Sequence, residues 1–199
     1  MTVLNYTLTA LIAYLIGSFS PGISFSRGLG RDIRDEGSKS SGATNAFRVM
    51  GVKIGLLTFL GDFLKATIAL WIGRLLAGEQ GALTAGFYVV IGHNWPVYYR
   101  FRGGKGIACS IAVMLWLFPI EALIALLAAL LVVIFTKYVS LASLSFLFIC
   151  GVAVSITHGL IPHGCIVFLL FALALFQHRS NLKRLMKGEE NKLKLKRTA

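Results

Sequence analysis

The chain has 199 residues, 56% of them apolar, with a mean hydropathy of +0.76. A soluble domain of this length rarely carries so much apolar surface, so composition excludes one and points to a single integral membrane domain over 1–199. The net charge of +12, from 20 Lys and Arg against 8 Asp and Glu, then reads as the basic excess of cytoplasmic loops, not as a footprint for nucleic acid.

The first apolar segment runs from about Val3 to Phe19. It lacks a basic leader and a small-residue cleavage site, which predicts a retained first helix. A polar stretch, Ser20–Lys53, follows as the first loop. Ile54–Leu76 and Ala82–Tyr99 approach the about 20 residues a bilayer core requires. Ile107–Phe118 is shorter, roughly 18 Å as a helix. Pro119 and Glu121 interrupt the apolar run before Ala122–Phe135, which predicts two short or tilted helices joined at Phe118-Pro119. Val139–Thr157 and Ile161–Phe176 complete the membrane part, with a turn over His158–Gly164.

The predicted fold class is therefore all-α, a polytopic membrane protein of seven transmembrane helices. Six spans result if Ile107–Phe135 crosses once as a kinked helix. With seven, the first loop, the Arg100–Lys105 stretch, Lys137 and the C-terminus share one side. That side holds all 20 basic residues except Lys65 and Arg74. The N-terminus is then outside and the C-terminus cytoplasmic, with 185–199 as a basic cytoplasmic tail. Six spans would divide these basic regions across the membrane. Small and hydroxyl residues such as Ala142, Ser143, Ser145, Gly151, Ala153 and Ser155 predict tight helix–helix seams. Cys109, Cys150 and Cys165 match no metal spacing and read as reduced core residues.

Three polar stretches carry candidate chemistry. Arg100 to Gly106 packs three glycines and three cations into seven positions, and bare amides beside fixed charge suit a phosphate. It is not a nucleotide P-loop, because Gly106 stands where Ser or Thr belongs. Gly37 to Arg48 contains two glycines, four hydroxyls, an amide and two cations, all small donors for phosphate oxygens or the parts of a plain polar linker. The third stretch, His178 to Glu190, places His178, Arg179 and Asn181 where the chain leaves its last span. A basic amphipathic helix on anionic lipid accounts for Lys192–Arg197. At depth, Asp62 and Lys65 lie three residues apart, either a functional pair or a mutual neutralisation. His158 and His163 have no carboxylate near them in sequence and are placed on the outer side. There is no H-x-x-x-x-D dyad, Ser/His/Asp set, paired carboxylates or aspartate-rich metal motif.

Taken together, these stretches resemble the three motifs of the PlsY family, bacterial acyl-phosphate:glycerol-3-phosphate acyltransferases. Gly37, Ser38, Gly42, Ala43, Thr44, Asn45 and Arg48 match the first motif, with Lys39 and Ser40 where Gly and Asn are usual. Gly92, His93, Pro96, Phe101, Gly103, Gly104, Lys105, Gly106 and Ala108 match the second, with Cys109 where Thr is common. His178, Arg179, Asn181, Arg184, Leu185, Gly188 and Glu189 match the third.

The resemblance implies transfer of an acyl group from acyl phosphate to the 1-hydroxyl of glycerol 3-phosphate at the cytoplasmic face of the bacterial inner membrane. Lysophosphatidic acid and phosphate are the implied products, in the first acylation of phospholipid synthesis, with no cofactor or metal. A PlsX-type synthase is the implied source of the acyl phosphate, and the bilayer the other partner. Lys105 and the Gly103, Gly104 and Gly106 backbone are expected to hold the phosphate of glycerol 3-phosphate. Ser38, Thr44, Asn45 and Arg48 are expected to line the other phosphate and the reacting carbonyl, with His178 and Asn181 completing that site. His93 and Glu189 are expected to organise it. The proton goes either to the substrate's own phosphate, with direct transfer and no acyl-enzyme, or to His178 as base.

Overall fold

The computed structural model describes residues 2–193, and the regular structure among them is helical. Met1 and residues 194–199 of the expected basic tail lie outside the described residues. The chain groups into two compact units, Met1–Leu117 and Phe118–Ala199.

In the first unit α1 spans Val3–Ser18 and α2 Pro21–Gly28. Pro21 opens α2, a position where its missing N–H costs no helical bond. The polar stretch Ser20–Lys53, expected as loop, therefore holds a helix, and another begins at Ala43. A small apolar core explains the difference. Ile23, Ile33 and Ala46 are wholly buried against one another, with Met50 and Tyr99 packed on them.

The next element, α3 (Ala43–Asn94), is not one rod. Gly51 (φ 86°), Ala77 (φ −144°) and Gly78 (φ 64°) leave helical geometry and divide it into pieces over 43–50, 52–76 and 79–94. A Cβ on Gly55 would lie 2.8 Å from Phe47 Cα, although eight residues of straight helix span about 12 Å. The first piece is thus folded back on the second. The second break makes an antiparallel hairpin: Gly73 abuts Gly81, Gly86 faces Leu70, and His93 reaches Asp62. The two arms, 52–76 and 79–94, overlap the segments expected as separate apolar helices, Ile54–Leu76 and Ala82–Tyr99, the second ending earlier, at Asn94.

Helix α1 lies on this hairpin. Asn5 Nδ2 donates to Leu76 O at the turn (3.0 Å), while Gly17 abuts the Val89 backbone and Gly92 that of Tyr14. Helix α4, Ile107–Leu117, runs back along 79–94, with Gly86 against Val113 and Arg74 over the Trp116 ring (5.4 Å).

The second unit contains α5 (Pro119–Thr136), α6 (Val139–His158), α7 (Cys165–Gln177) and α8 (Arg179–Met186). The break at Phe118-Pro119 falls where the sequence puts it. Gly151 admits the Phe168 ring, 2.9 Å from where its Cβ would be, so α6 and α7 meet closely at a small residue. Folding of α5 on α6 also gives His158 a carboxylate that local sequence did not supply. Glu121 Oε1 accepts from Thr157 Oγ1 (2.7 Å) and from His158 Nε2 (3.1 Å). After α8 the chain returns to the α5–α6 junction: Leu193 N–H donates to Lys137 O (2.8 Å), and Lys192 lies over Tyr138. Of the stretch expected as an amphipathic helix, Lys192 and Leu193 are held at this junction, and 194–197 lie outside the described residues.

Among the described residues, five stretches are long and apolar enough to cross a membrane: Val3–Gly28, Ala43–Tyr99, Pro119–Thr136, Val139–His158 and Leu160–Gln177. Ile107–Leu117 is a shorter apolar helix.

Candidate active site

The glycine–lysine stretch is shaped by His93. After α3, the short turn Val97–Tyr99 leads into Arg100 and Phe101, both left-handed (φ 56° and 57°), and the chain doubles back. Phe101 N–H donates to Pro96 O (2.9 Å), and Gly104 N–H donates to His93 O (3.1 Å). A Cβ at Gly103 would run into the His93 carbonyl, and one at Gly104 into His93 Nε2. Gly106 sits at φ 80°, and its carbonyl accepts from Ser110 N–H (2.8 Å), so this turn runs directly into the first turn of α4. The first N–H groups of a helix have no partner within the helix, and beside the half-buried Lys105 such groups favour an anion.

Beneath the turn, His93 is 3% exposed and its Nδ1 lies 3.1 Å from Asp62 Oδ1. Lys65 Nζ contacts the same oxygen (2.9 Å) and donates to Gly17 O (2.9 Å) and Phe19 O (2.6 Å). Cys109 Sγ donates to Asp62 O (3.4 Å). One donor atom each from Asp62, His93 and Cys109 lie within 4.8 Å of one another, a spacing a metal ion can use. The Lys65 ammonium already occupies the shared acceptor face, however, and a second cation there meets fixed repulsion at low dielectric.

The first loop docks on this turn. Ser41 N–H donates to Gly103 O (3.4 Å), and Arg34 Nη1 donates to Tyr99 O (2.8 Å) and Arg102 O (3.4 Å). Asp32 holds Arg34 in place, accepting from its Nε (2.8 Å) and Nη2 (2.5 Å). The guanidinium's hydrogen bonds hold the Asp32 carboxyl down to about 2 and push the Arg34 guanidinium up. A depressed carboxyl stabilises the fold above its ordinary range and loses that contribution only as pH falls through about 2.

Within this loop the expected residues divide. Asn45 is 1% exposed, and its amide closes the loop on itself. Its Oδ1 accepts from Ser38 N–H (2.8 Å), while Nδ2 faces Ile33 O (3.1 Å), Glu36 O (3.1 Å) and Ser40 O (2.9 Å). Asn45, expected on substrate, has its polar atoms engaged in closing the loop that carries Ser38. Gly37, at φ 58°, gives Asn45 Oδ1 its room. Lys39, where the resemblance leads one to expect glycine, still adopts φ 57°, so the turn is kept. Thr44 and Arg48 lie one helical turn apart and are exposed, whereas Asn45 is buried.

In the second unit, His178 is 3% exposed, and its Nδ1 donates to Ala174 O (2.8 Å). A carbonyl only accepts, so in the neutral ring Nε2 carries the lone pair. Asn181 is also buried, and Nδ2 donates to Glu190 Oε1 (2.6 Å). The same carboxylate accepts from Ser140 Oγ (3.0 Å) and Arg184 Nε (2.8 Å). The carboxylate bonded to Asn181 is thus that of Glu190, whereas Glu189, the expected organiser, is exposed. The cause is a Schellman turn, in which Gly188 (φ 71°) donates to Leu185 O and Glu189 N–H to Arg184 O. That turn points the second glutamate inward. Sequence gives no means of choosing between adjacent glutamates without it.

Comparison with known proteins extends over nearly the whole chain. The family model described as glycerol-3-phosphate acyltransferase matches residues 7–188. A glycerol-3-phosphate acyltransferase of Thermoanaerobacter sp. (strain X514) is 45% identical over 191 residues, 94% of each chain. One from Finegoldia magna is 44% identical over 200 residues, 97% of this chain and 98% of its own. The fold is similar to that of the crystal structure of PlsY (YgiH), an integral membrane glycerol 3-phosphate acyltransferase, in its glycerol 3-phosphate form. That match has a TM-score of 0.90 and 32% identity, and covers 95% of this chain and 96% of the other. The lysophosphatidic acid form of PlsY gives a TM-score of 0.87 at 31% identity, covering 95% of both chains. With its apolar helices and a match of this extent, the chain belongs to the glycerol-3-phosphate acyltransferase (PlsY) family of multi-pass integral membrane proteins.

Proposed function

We propose that this protein transfers a fatty acyl group from acyl phosphate to the 1-hydroxyl of glycerol 3-phosphate. The observation that carries the reading is the Gly103–Gly106 turn. It brings Lys105 and three glycines to the start of α4 and is joined to the donor-rich first loop by the Ser41–Gly103 hydrogen bond. Relatives named for glycerol 3-phosphate, one of them solved in its glycerol 3-phosphate form, support the acceptor.

The glycerol oxygen forms the new bond to the acyl carbon, and the bond from that carbon to the phosphate oxygen breaks. The hydroxyl proton leaves on the departing phosphate, giving lysophosphatidic acid and inorganic phosphate with no acyl-enzyme. Lys105 with the Gly103, Gly104 and Gly106 backbone binds the acceptor phosphate. Ser38, Thr44 and Arg48 face the donor phosphate and the carbonyl, so that holding both substrates supplies the orientation effect. His178 and Asn181 serve the transfer. The tautomer set by Ala174 O favours a second reading of the proton step, in which His178 Nε2 accepts it. His178→Gln separates the two: unchanged turnover and pH profile eliminate His178 as base, whereas loss of an alkaline-rising limb supports it. In this reading one membrane domain crosses a bacterial inner membrane seven times, N-terminus outside, with the loops facing the cytoplasm and a PlsX-type synthase supplying the donor.

Purified protein given glycerol 3-phosphate with acyl phosphate, acyl-CoA or acyl carrier protein thioester tests the reaction. Lysophosphatidic acid from acyl phosphate alone is expected; product from a thioester alone refutes the donor. Lys105→Ala removes a charge-assisted contact of about 1.5 kcal/mol or more. The Michaelis constant for glycerol 3-phosphate rises at least about tenfold, read by steady-state kinetics.

A further inference from the structure

We propose that Asp62 and Lys65 are positioning residues for glycerol 3-phosphate: through His93 they hold the Gly103–Gly106 turn in the shape that receives the phosphate. The proposal rests on the reading of that turn given above.

The hydrogen-bond accounting in this cluster allows one arrangement to satisfy every short contact but one. An ammonium has three N–H donors and no acceptor. Lys65 directs them at Gly17 O (2.9 Å), Phe19 O (2.6 Å) and Asp62 Oδ1 (2.9 Å). With all three engaged, the 3.0 Å approach of Lys65 Nζ to His93 Nδ1 is a packing contact. His93 Nδ1 then carries a hydrogen and donates it to Asp62 Oδ1 (3.1 Å). Both the ring's rotamer and its tautomer are thereby set from below. The opposite ring atom, Nε2, lies against Gly104, and the His93 carbonyl accepts Gly104 N–H (3.1 Å) and abuts Gly103. One residue therefore touches the turn twice, through its ring and through its backbone, and the Asp62–Lys65 pair fixes it. Lys65 also binds the end of α1 at Gly17 and Phe19, so the turn is referenced to a second helix.

Stability alone does not account for charges here. Asp62 Oδ2 is buried with no hydrogen-bond partner among the described residues, which a purely structural pair has no reason to retain. Apolar side chains of similar volume commonly replace a buried ion pair without loss of stability. What they do not reproduce is direction, the aiming of one ring edge at one backbone position.

The test is the double variant Asp62→Leu/Lys65→Met, assayed in detergent beside Lys105→Ala. The expected result is an unfolding temperature close to the parent's. The Michaelis constant for glycerol 3-phosphate is raised at least tenfold, and that for acyl phosphate stays within twofold. An unchanged glycerol 3-phosphate constant overturns the proposal, as does an equal rise in both constants. If the double variant does not fold, Asp62→Asn is read instead. It keeps the side-chain size and leaves Lys65 its two carbonyls, and a rise of at least threefold for glycerol 3-phosphate alone is expected, with no rise overturning the proposal. An unchanged constant in Lys105→Ala overturns the reading of the turn, and this proposal with it. A raised constant there beside unaltered Asp62 variants overturns this proposal alone.

Discussion

Gly104→Ala is expected to lower kcat/KM for glycerol 3-phosphate by about a hundredfold or more while the protein stays folded. The added methyl would meet the His93 ring at Nε2, at Cε1 (2.9 Å) and at Cδ2 (3.0 Å), that is, across a whole edge. The ring has nowhere to go, being 3% exposed and bonded at its far side to Asp62. The backbone of the turn must therefore move, by about 1 Å, and a misplacement of that size costs about a hundredfold when it shifts a bound substrate. The stability cost of overpacking is about 1–3 kcal/mol, which leaves room for a folded variant. Gly28→Ala is the matched control. A Cβ there meets nothing within 4 Å, so kinetics and unfolding temperature should match the parent. Normal kcat/KM in Gly104→Ala would remove this turn from substrate binding altogether.

Much of this arrangement is legible in the sequence because it rests on local chemistry. Runs of apolar residues give the helices, Pro119 ends one and begins the next, and glycine with lysine marks an anion cradle. The residues that fix the cradle are not legible in the same way. His93 in isolation does not name its partners, and the spacing of Asp62 and Lys65 fits a functional pair as well as a mutual neutralisation. Their joint role appears when the break at Ala77-Gly78 folds 79–94 back on 52–76 and sets a histidine 31 positions away against the pair. Asn45 shows the converse. Its residue type and motif position suggest a substrate donor, and only loop closure reveals that Ser38, Ile33, Glu36 and Ser40 take its hydrogen bonds. The helix Pro21–Gly28 is hidden for a related reason, since its stabilising partners Ile33 and Ala46 are distant in sequence and embedded in polar surroundings.

Glu190→Ala is expected to destabilise the protein by about 3 kcal/mol or more, whereas Glu189→Ala should lie within about 0.5 kcal/mol of the parent. The two residues are adjacent and identical, so the contrast isolates position. The Glu190 side chain is 2% exposed and receives Ser140 from α6 and Asn181 and Arg184 from α8. Its removal leaves a buried amide and hydroxyl without their acceptor and a guanidinium without its counter-charge. Asn181 also loses the bond that orients it, so turnover should fall together with stability. Burial by itself raises the Glu190 carboxyl, but donation from Asn181, Ser140 and Arg184 outweighs it and holds the group below its ordinary range. A carboxyl depressed in the folded state contributes its full stabilisation above the ordinary carboxylate pKa and loses it as pH falls through the lower, folded value. The stability gap between parent and Glu190→Ala, measured by thermal unfolding in detergent, should therefore be widest at neutral pH and narrow toward acid. A gap that stays constant, or that belongs equally to Glu189→Ala, would mean that the carboxylate's charge is not what ties α8 to α6.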